Sequence, residues 1–177
     1  VTDDHPRNRR IDRVVDPAFV QGLGDLSLEE LRERRDEAMA EREYLSLLRR
    51  LLQGRAEILQ AEHEGRERDG DAAPLVDRLA SILAADEATE SRGEVVRIVV
   101  PEDEMLLARR SVERLAADSG ISDPTTLSDQ DLDAAIDALV TEEHTVSAAR
   151  RAVIAALDAV LDELKRRYRD DPTLALA

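Results

Sequence analysis

Residues 128–169 read SDQDLDAAIDALVTEEHTVSAARRAVIAALDAVLDELKRRYR, a stretch with no Gly or Pro. Leu139, Val146, Val153 and Val160 recur at every seventh position. Ile136, Glu143, Arg150, Leu157 and Leu164 form a neighbouring series at the same interval. Apolar side chains spaced by seven mark the seam of a helix that packs along another helix. Ser128 with Asp131 three residues on gives the run a capped start, and Pro172 gives it a stop. The second series is apolar at its ends and charged at its centre, so the same stretch that sets the fold also raises a question about function.

An earlier stretch is built in the same way. Ser27 and Glu30 form a capping box, and no Gly or Pro intervenes before Gly54. Gly54 costs about 1 kcal/mol relative to Ala without ending the helix, and the pattern runs on to Arg66. Ala38, Leu45, Leu52 and Leu59 make a clean seam, while Arg35, Arg42, Arg49, Ala56 and His63 make a mostly polar one. At an offset of 101 residues the pairs Leu26/Leu127, Ser27/Ser128, Leu31/Leu132, Asp36/Asp137, Glu41/Glu142, Ser46/Ser147, Arg49/Arg150, Arg50/Arg151, Glu62/Glu163 and Arg66/Arg167 are identical. Ungapped matches that include both caps point to duplication of one helical unit.

The expected organisation follows from these two runs. Residues 1–26 form a mobile leader whose apolar part (Ile11, Val14, Val15, Phe19, Val20, Leu23) docks on the body or on a partner. Residues 27–66 form the first long helix. Residues 67–127 are a connector with short helices: one opening at Pro74, a short strand or extended piece over Glu94–Val100, and a helix from Pro101 to Ala117 with Gly120 as its stop. Residues 128–170 form the second long helix, and 171–177 a tail. The fold class is all-α, a long antiparallel coiled-coil helical hairpin with a shorter, partly helical connecting segment. Antiparallel pairing is preferred because the charged centres of both helices then meet.

Composition supports this class. Among 177 residues there are no Cys and no Trp, one Phe and two Tyr, while 37% are charged. Long helices, rather than an aromatic core, suit such a chain. The absence of Cys excludes a disulfide framework and thiolate chemistry. No hydrophobic run is long enough to span a bilayer and no signal-peptide pattern opens the chain, so a soluble cytoplasmic protein is expected. A net charge of −15 opposes direct binding of nucleic acid and favours a basic protein partner. There is no P-loop, no Gly-rich dinucleotide fingerprint and no metal-spaced His cluster, so neither an enzyme nor a resident cofactor or metal is expected. His63 and His144 read as exposed helix residues. Arg50 and Arg151, one position off the polar stripe, read as partners of a phosphate or of exposed Glu and Asp, with the second preferred.

The stripe itself is Ser46, Arg49, Gln53 and Glu57 in the first helix, and Ser147, Arg150, Ile154 and Asp158 in the second, with Glu143 one turn before. Offsets of 0, 3, 7 and 11 lie on one face of a helix. Charges in a seam weaken packing unless something satisfies them. One reading is a register device, in which Glu143 pairs with Arg42 or Arg49 across the helices. The other is a docking strip for an anionic, hydrogen-bonding ligand. Arg and Ser suit phosphate oxygens and the O6/N7 edge of guanine, and a carboxylate suits the guanine N1–H and N2–H₂ donors.

At these residues the chain resembles the RsiG family of actinobacterial anti-sigma factors, which carry E-x3-S-x2-R-x3-Q-x3-D on each of two coiled-coil helices. The second copy here reads Glu143, Ser147, Arg150, Ile154, Asp158, with Ile in place of Gln. The first reads Arg42, Ser46, Arg49, Gln53, Glu57, with Arg in place of the leading Glu and Glu in place of Asp. The resemblance implies a regulatory ligand, cyclic di-GMP, bound as a dimer on the coiled coil by Ser46, Arg49, Gln53, Glu57, Glu143, Ser147, Arg150 and Asp158. It implies that the liganded protein holds a WhiG-type sporulation sigma factor away from RNA polymerase. The competing expectation is an acidic coiled-coil adaptor that needs no ligand.

Overall fold

A computed structural model describes residues 9–67, 100–118 and 124–175. They comprise α1 (Arg10–Val14), 3-10 turns at Pro17–Val20 and Leu23–Asp25, α2 (Leu28–Glu67), α3 (Glu102–Asp118), a 3-10 turn at Pro124–Thr126, α4 (Asp129–Asp170) and a last 3-10 turn at Pro172–Ala175. Among the described residues there is no strand, and the protein is all-α. The stretch from Pro74, residues 94–99 of the Glu94–Val100 piece, and the Gly120 stop fall outside the described residues.

The long helices begin where their caps stand. At α2 the Glu30 amide donates to Ser27 Oγ at 3.2 Å, and the Ser27 amide donates to Glu30 Oε2 at 2.7 Å. This reciprocal pair satisfies two amides that the first helical turn leaves open. At α4 the Asp131 amide donates to Ser128 Oγ at 3.2 Å, while Ser128 Oγ itself donates to Asp131 Oδ2 at 2.6 Å. Acidic residues open both helices and Arg66, Arg167 and Arg169 close them, which matches the helix dipole.

The chain divides into two compact units, and α2 and α4 each supply a segment to both. The first unit combines residues up to Ser46 with those from Val146 onward. Its segments of α2 and α4 run antiparallel, since Arg32 Nε donates to the Tyr168 hydroxyl and Arg150 Nε to Ser46 Oγ. Leu31, Ala38 and Leu45 from α2 are buried, as are Val146, Val153, Leu157, Val160 and Leu164 from α4. Each fully buried Leu or Val contributes about 1.5–3 kcal/mol relative to exposure.

The apolar part of the leader, expected to dock on the body or on a partner, is built into this unit over residues 10–25. Val14 and Phe19 are buried. Arg10 Nε donates to Glu41 Oε2 at 2.6 Å and Arg13 Nε to Glu37 Oε1 at 2.7 Å. The Arg34 guanidinium donates to the Phe19 carbonyl and lies 5.5 Å from the centre of its ring. Gly22, at φ 62°, supplies the left-handed residue that turns the chain into α2. The last 3-10 turn is held in the same unit, with Arg32 Nη2 donating to the Leu174 carbonyl at 2.9 Å.

The second unit, Leu47–Thr145, pairs the end of α2 with the start of α4, again antiparallel. Arg49 meets Glu143 and Arg66 meets Asp129. Leu52, Ala56 and Leu59 of α2 and Leu132, Ala135 and Leu139 of α4 are buried in its core. A third helix, α3, adds the buried Ala108 and Val112. The clean seams read from the sequence are the core of both units. Ala38, Leu45, Leu52 and Leu59 are at most 5% exposed, as are Leu139, Val146, Val153 and Val160. The mixed seams behave as composed: Ala56, Leu157 and Leu164 are buried, while Arg42, Arg49, Glu143 and Arg150 are half-buried.

Candidate functional site

The polar stripe lies where α2 and α4 exchange apolar seam residues for Ser, Arg and carboxylates. Helical spacing places these side chains on the seam, and the backbone is continuous through it because no Pro interrupts either helix. Half-burial leaves such groups in need of partners. The structure shows which partners they take, one unit at a time.

In the second unit Glu143 is the hub. Its Oε1 accepts from Arg49 Nε at 2.7 Å and from Gln53 Nε2 at 3.2 Å. Of the two partners weighed for Glu143 in the sequence, Arg49 is the one seen. The Glu143 side chain is 16% exposed and that of Arg49 is 40% exposed, so the guanidinium keeps a water-facing side. Beside this hub lies a groove of about 290 Å³ lined by Leu52, Ala56, Leu139 and Val140 together with Gln53, Glu57, Gln60 and Glu143. Its walls are apolar and its rim carries hydrogen-bonding groups, which is the composition of small-molecule sites. Glu57 is exposed at that rim.

In the first unit the stripe is arranged otherwise. Arg150 Nε donates to Ser46 Oγ at 2.8 Å, and Ser46 Oγ donates back to the Arg42 carbonyl at 2.7 Å. Arg42, which stands in the leading Glu position, turns to Glu43 with Nη2 3.6 Å from Oε1. Ser147 and Ile154 are half-buried, and Asp158 is exposed. The structure therefore brings Arg49, Gln53 and Glu143 into contact in one unit, and Ser46 and Arg150 in the other. It leaves Glu57 and Asp158 facing solvent.

Two expectations need correction. Arg50 and Arg151 do not pair with acids: both are exposed, and among the described residues neither forms an ion pair. His63 is half-buried rather than exposed, with Nδ1 3.3 Å from Asp133 Oδ1. His144 is exposed. Among the described residues no cluster of His, Asp or Glu is arranged to hold a metal ion, and no helix is long and apolar enough to cross a membrane.

Arg66 and Arg167, identical at the offset of 101, show no task in the sequence and take one in the structure. In the second unit Arg66 is held by Glu62 at 3.1 Å and donates to the carbonyls of Pro124 and Leu127, each at 2.8 Å. In the first unit Arg167 is held by Glu163 at 2.8 Å and donates to the carbonyls of Leu23 and Gly24 at 3.0 and 3.1 Å. Each arginine closes one long helix onto the turn that opens the other. Hydrogen bonds from Arg166 and then Arg167 draw the Glu163 carboxyl down to about 2. The Glu-x3-Arg spacing at an offset of 101 was the available signal.

A family model described as RsiG-like matches residues 17–83. The matched segment runs from the docked leader through α2 and contains the first copy of the stripe; the second copy, Glu143–Asp158, lies beyond it. No curated protein matches the chain.

Proposed function

We propose, with the chain taken as a member of the RsiG family and hence of anti-sigma type, that it binds cyclic di-GMP and, when liganded, sequesters a WhiG-type sigma factor from RNA polymerase. The observation that carries this reading is the paired interruption of two otherwise apolar seams by Ser46/Arg49 and Ser147/Arg150. Ser46, Arg49, Gln53, Glu57, Glu143, Ser147, Arg150 and Asp158 are the proposed ligand residues.

The physical logic is an exchange of partners. Arg49 now spends a hydrogen bond on Glu143, and Arg150 spends one on Ser46. A phosphate oxygen accepts from the Arg150 guanidinium more strongly than the neutral Ser46 hydroxyl does, and for Arg49 the displaced Glu143 carboxylate would be compensated by guanine donors. Phosphates would take both arginines, and the freed Glu143 carboxylate would accept from guanine N1–H and N2–H₂. The groove beside Gln53 and Glu143 would offer a base apolar contact at the half-buried Val140. A dimer of the dinucleotide suits a stripe that occurs twice. An acidic chain with a net charge of −15 suits a basic sigma partner.

A second reading has an observation of its own. Glu143 is already satisfied by Arg49 and Gln53 without any ligand, as expected of a register device in an acidic adaptor. The two readings separate in one experiment: titration of the sigma factor into the full chain, with and without cyclic di-GMP. The proposal expects the ligand to tighten sigma binding, and sigma to tighten ligand binding by the same factor. Equal sigma affinity in both conditions, with no heat from the dinucleotide alone, leaves the adaptor.

A further inference from the structure

Three of the large apolar residues left exposed in the described structure fall consecutively in α3. Met105, Leu106 and Leu107 are 36%, 46% and 53% exposed. The helix spends its other face on the core of the second unit, through Ala108 at 0% and Val112 at 8%. Helical spacing puts Asp103, Leu106, Leu107 and Arg110 together on the outer face, at i, i+3, i+4 and i+7. All four are exposed. Adjacent exposed leucines of this kind mark a contact surface more often than a tolerated defect.

The charge pattern around them says what fits. The sequence Glu102-Asp103-Glu104-Met105-Leu106-Leu107-Ala108-Arg109-Arg110 is acidic before the apolar centre and basic after it. Reversed in direction, the pattern is its own complement. About a two-fold axis between Leu106 and Leu107, an antiparallel second copy sets Asp103 against Arg110, Leu106 against Leu107, and Arg110 against Asp103. A two-fold interface requires this self-complementarity, since one patch must meet itself. A purely basic partner would be attracted to one half of the face and repelled by the other.

We propose that the outer face of α3 is a homodimer interface, in which two copies of the chain pair their α3 helices antiparallel through Leu106 and Leu107, with Asp103–Arg110 ion pairs on either side. A contact of about two helical turns from each copy is small, so the dimer is concentration-dependent and its flanking ion pairs weaken in salt. It involves none of the stripe residues, and it stands whether or not the dinucleotide binds.

Sedimentation velocity of the full chain over a concentration series tests this in low salt. The wild type is expected to show a reversible monomer–dimer equilibrium. Asp103→Arg places two basic side chains at each end of the contact, and Arg110→Asp places two acidic ones there. Each alone is expected to weaken self-association by about tenfold, since each turns two attractions into two repulsions. An equimolar mixture of the two variants is expected to recover association, as a heterodimer with every pair restored. Leu107→Ser is expected to abolish association with the helical circular dichroism unchanged. A wild type that stays monomeric at every concentration overturns the proposal. So do charge variants that associate like the wild type, a mixture that fails to recover, or a face that binds the sigma factor but not a second copy.

Discussion

In the unit of residues 1–46 and 146–177, Glu163 and Arg167 fasten the end of α4 to the carbonyls before Ser27. In the unit of residues 47–145, Glu62 and Arg66 fasten the end of α2 to the carbonyls before Ser128. Both units have a serine cap, a 3-10 turn ahead of it, an arginine closing onto that turn and a leucine at the same point of the seam. They differ in what was added to that frame. The first carries the leader, with Arg10 sealing the nearly buried Glu41. The second carries α3, and its matching carboxylate, Glu142, is exposed. They differ again at the stripe, where Ser46–Arg150 stands in one and Arg49–Glu143–Gln53 in the other. The two units share the parts that close the helices and differ in the polar centre, which is where asymmetry can serve a ligand or a partner.

The strongest test of equivalence is a pair of cavities. Leu31 and Leu132 occupy corresponding positions and both are 0% exposed. Leu31→Ala and Leu132→Ala are each expected to cost about 2–5 kcal/mol, and nearly the same amount as each other, in chemical denaturation. Costs that differ by more than about 1.5 kcal/mol would show that the frames are not equivalent. A smaller effect should expose where the units differ. Arg10→Ala leaves the Glu41 carboxylate, whose side chain is 5% exposed, without its partner and is expected to cost about 2–3 kcal/mol. Glu142→Ala, at the exposed twin position, is expected to change stability by less than about 0.5 kcal/mol.

Much of this frame was legible in the residues. The seams at Ala38–Leu59 and Leu139–Val160 were readable because a seven-residue period survives any context that keeps two helices paired. The caps were readable because their chemistry is local. The docking of the leader was legible only as a choice between body and partner, because Arg10–Glu41 and Arg13–Glu37 join residues far apart in the chain. The clamp by Arg66 and Arg167 was visible only as an unexplained identity, since its acceptors are backbone carbonyls with no signature of their own. At the stripe the residue types were legible but their partners were not. Spacing placed Glu143 within reach of both Arg42 and Arg49, and only packing decided between them.

The smallest effect is a pH dependence. Hydrogen bonds from Arg166 and Arg167 hold the folded-state carboxyl of Glu163 at about 2, below its ordinary 4.5. The stability this contributes is fully present above the ordinary value and is lost as pH falls toward about 2. Glu163→Gln is expected to flatten that acid limb in thermal melts by lowering stability at neutral pH while leaving it little changed near pH 2, where the wild-type carboxyl has also lost its charge. An acid limb identical in the variant would remove Glu163 from the account.

The central claim is that the duplicated Ser–Arg stripe is a ligand site and not only a register device. Isothermal titration of the full chain with cyclic di-GMP, alongside Arg150→Ala, tests it most directly. The account predicts saturable binding to the wild type and a loss of at least about tenfold in affinity for the variant. Absence of binding by the wild type, or equal binding by Arg150→Ala, would contradict it.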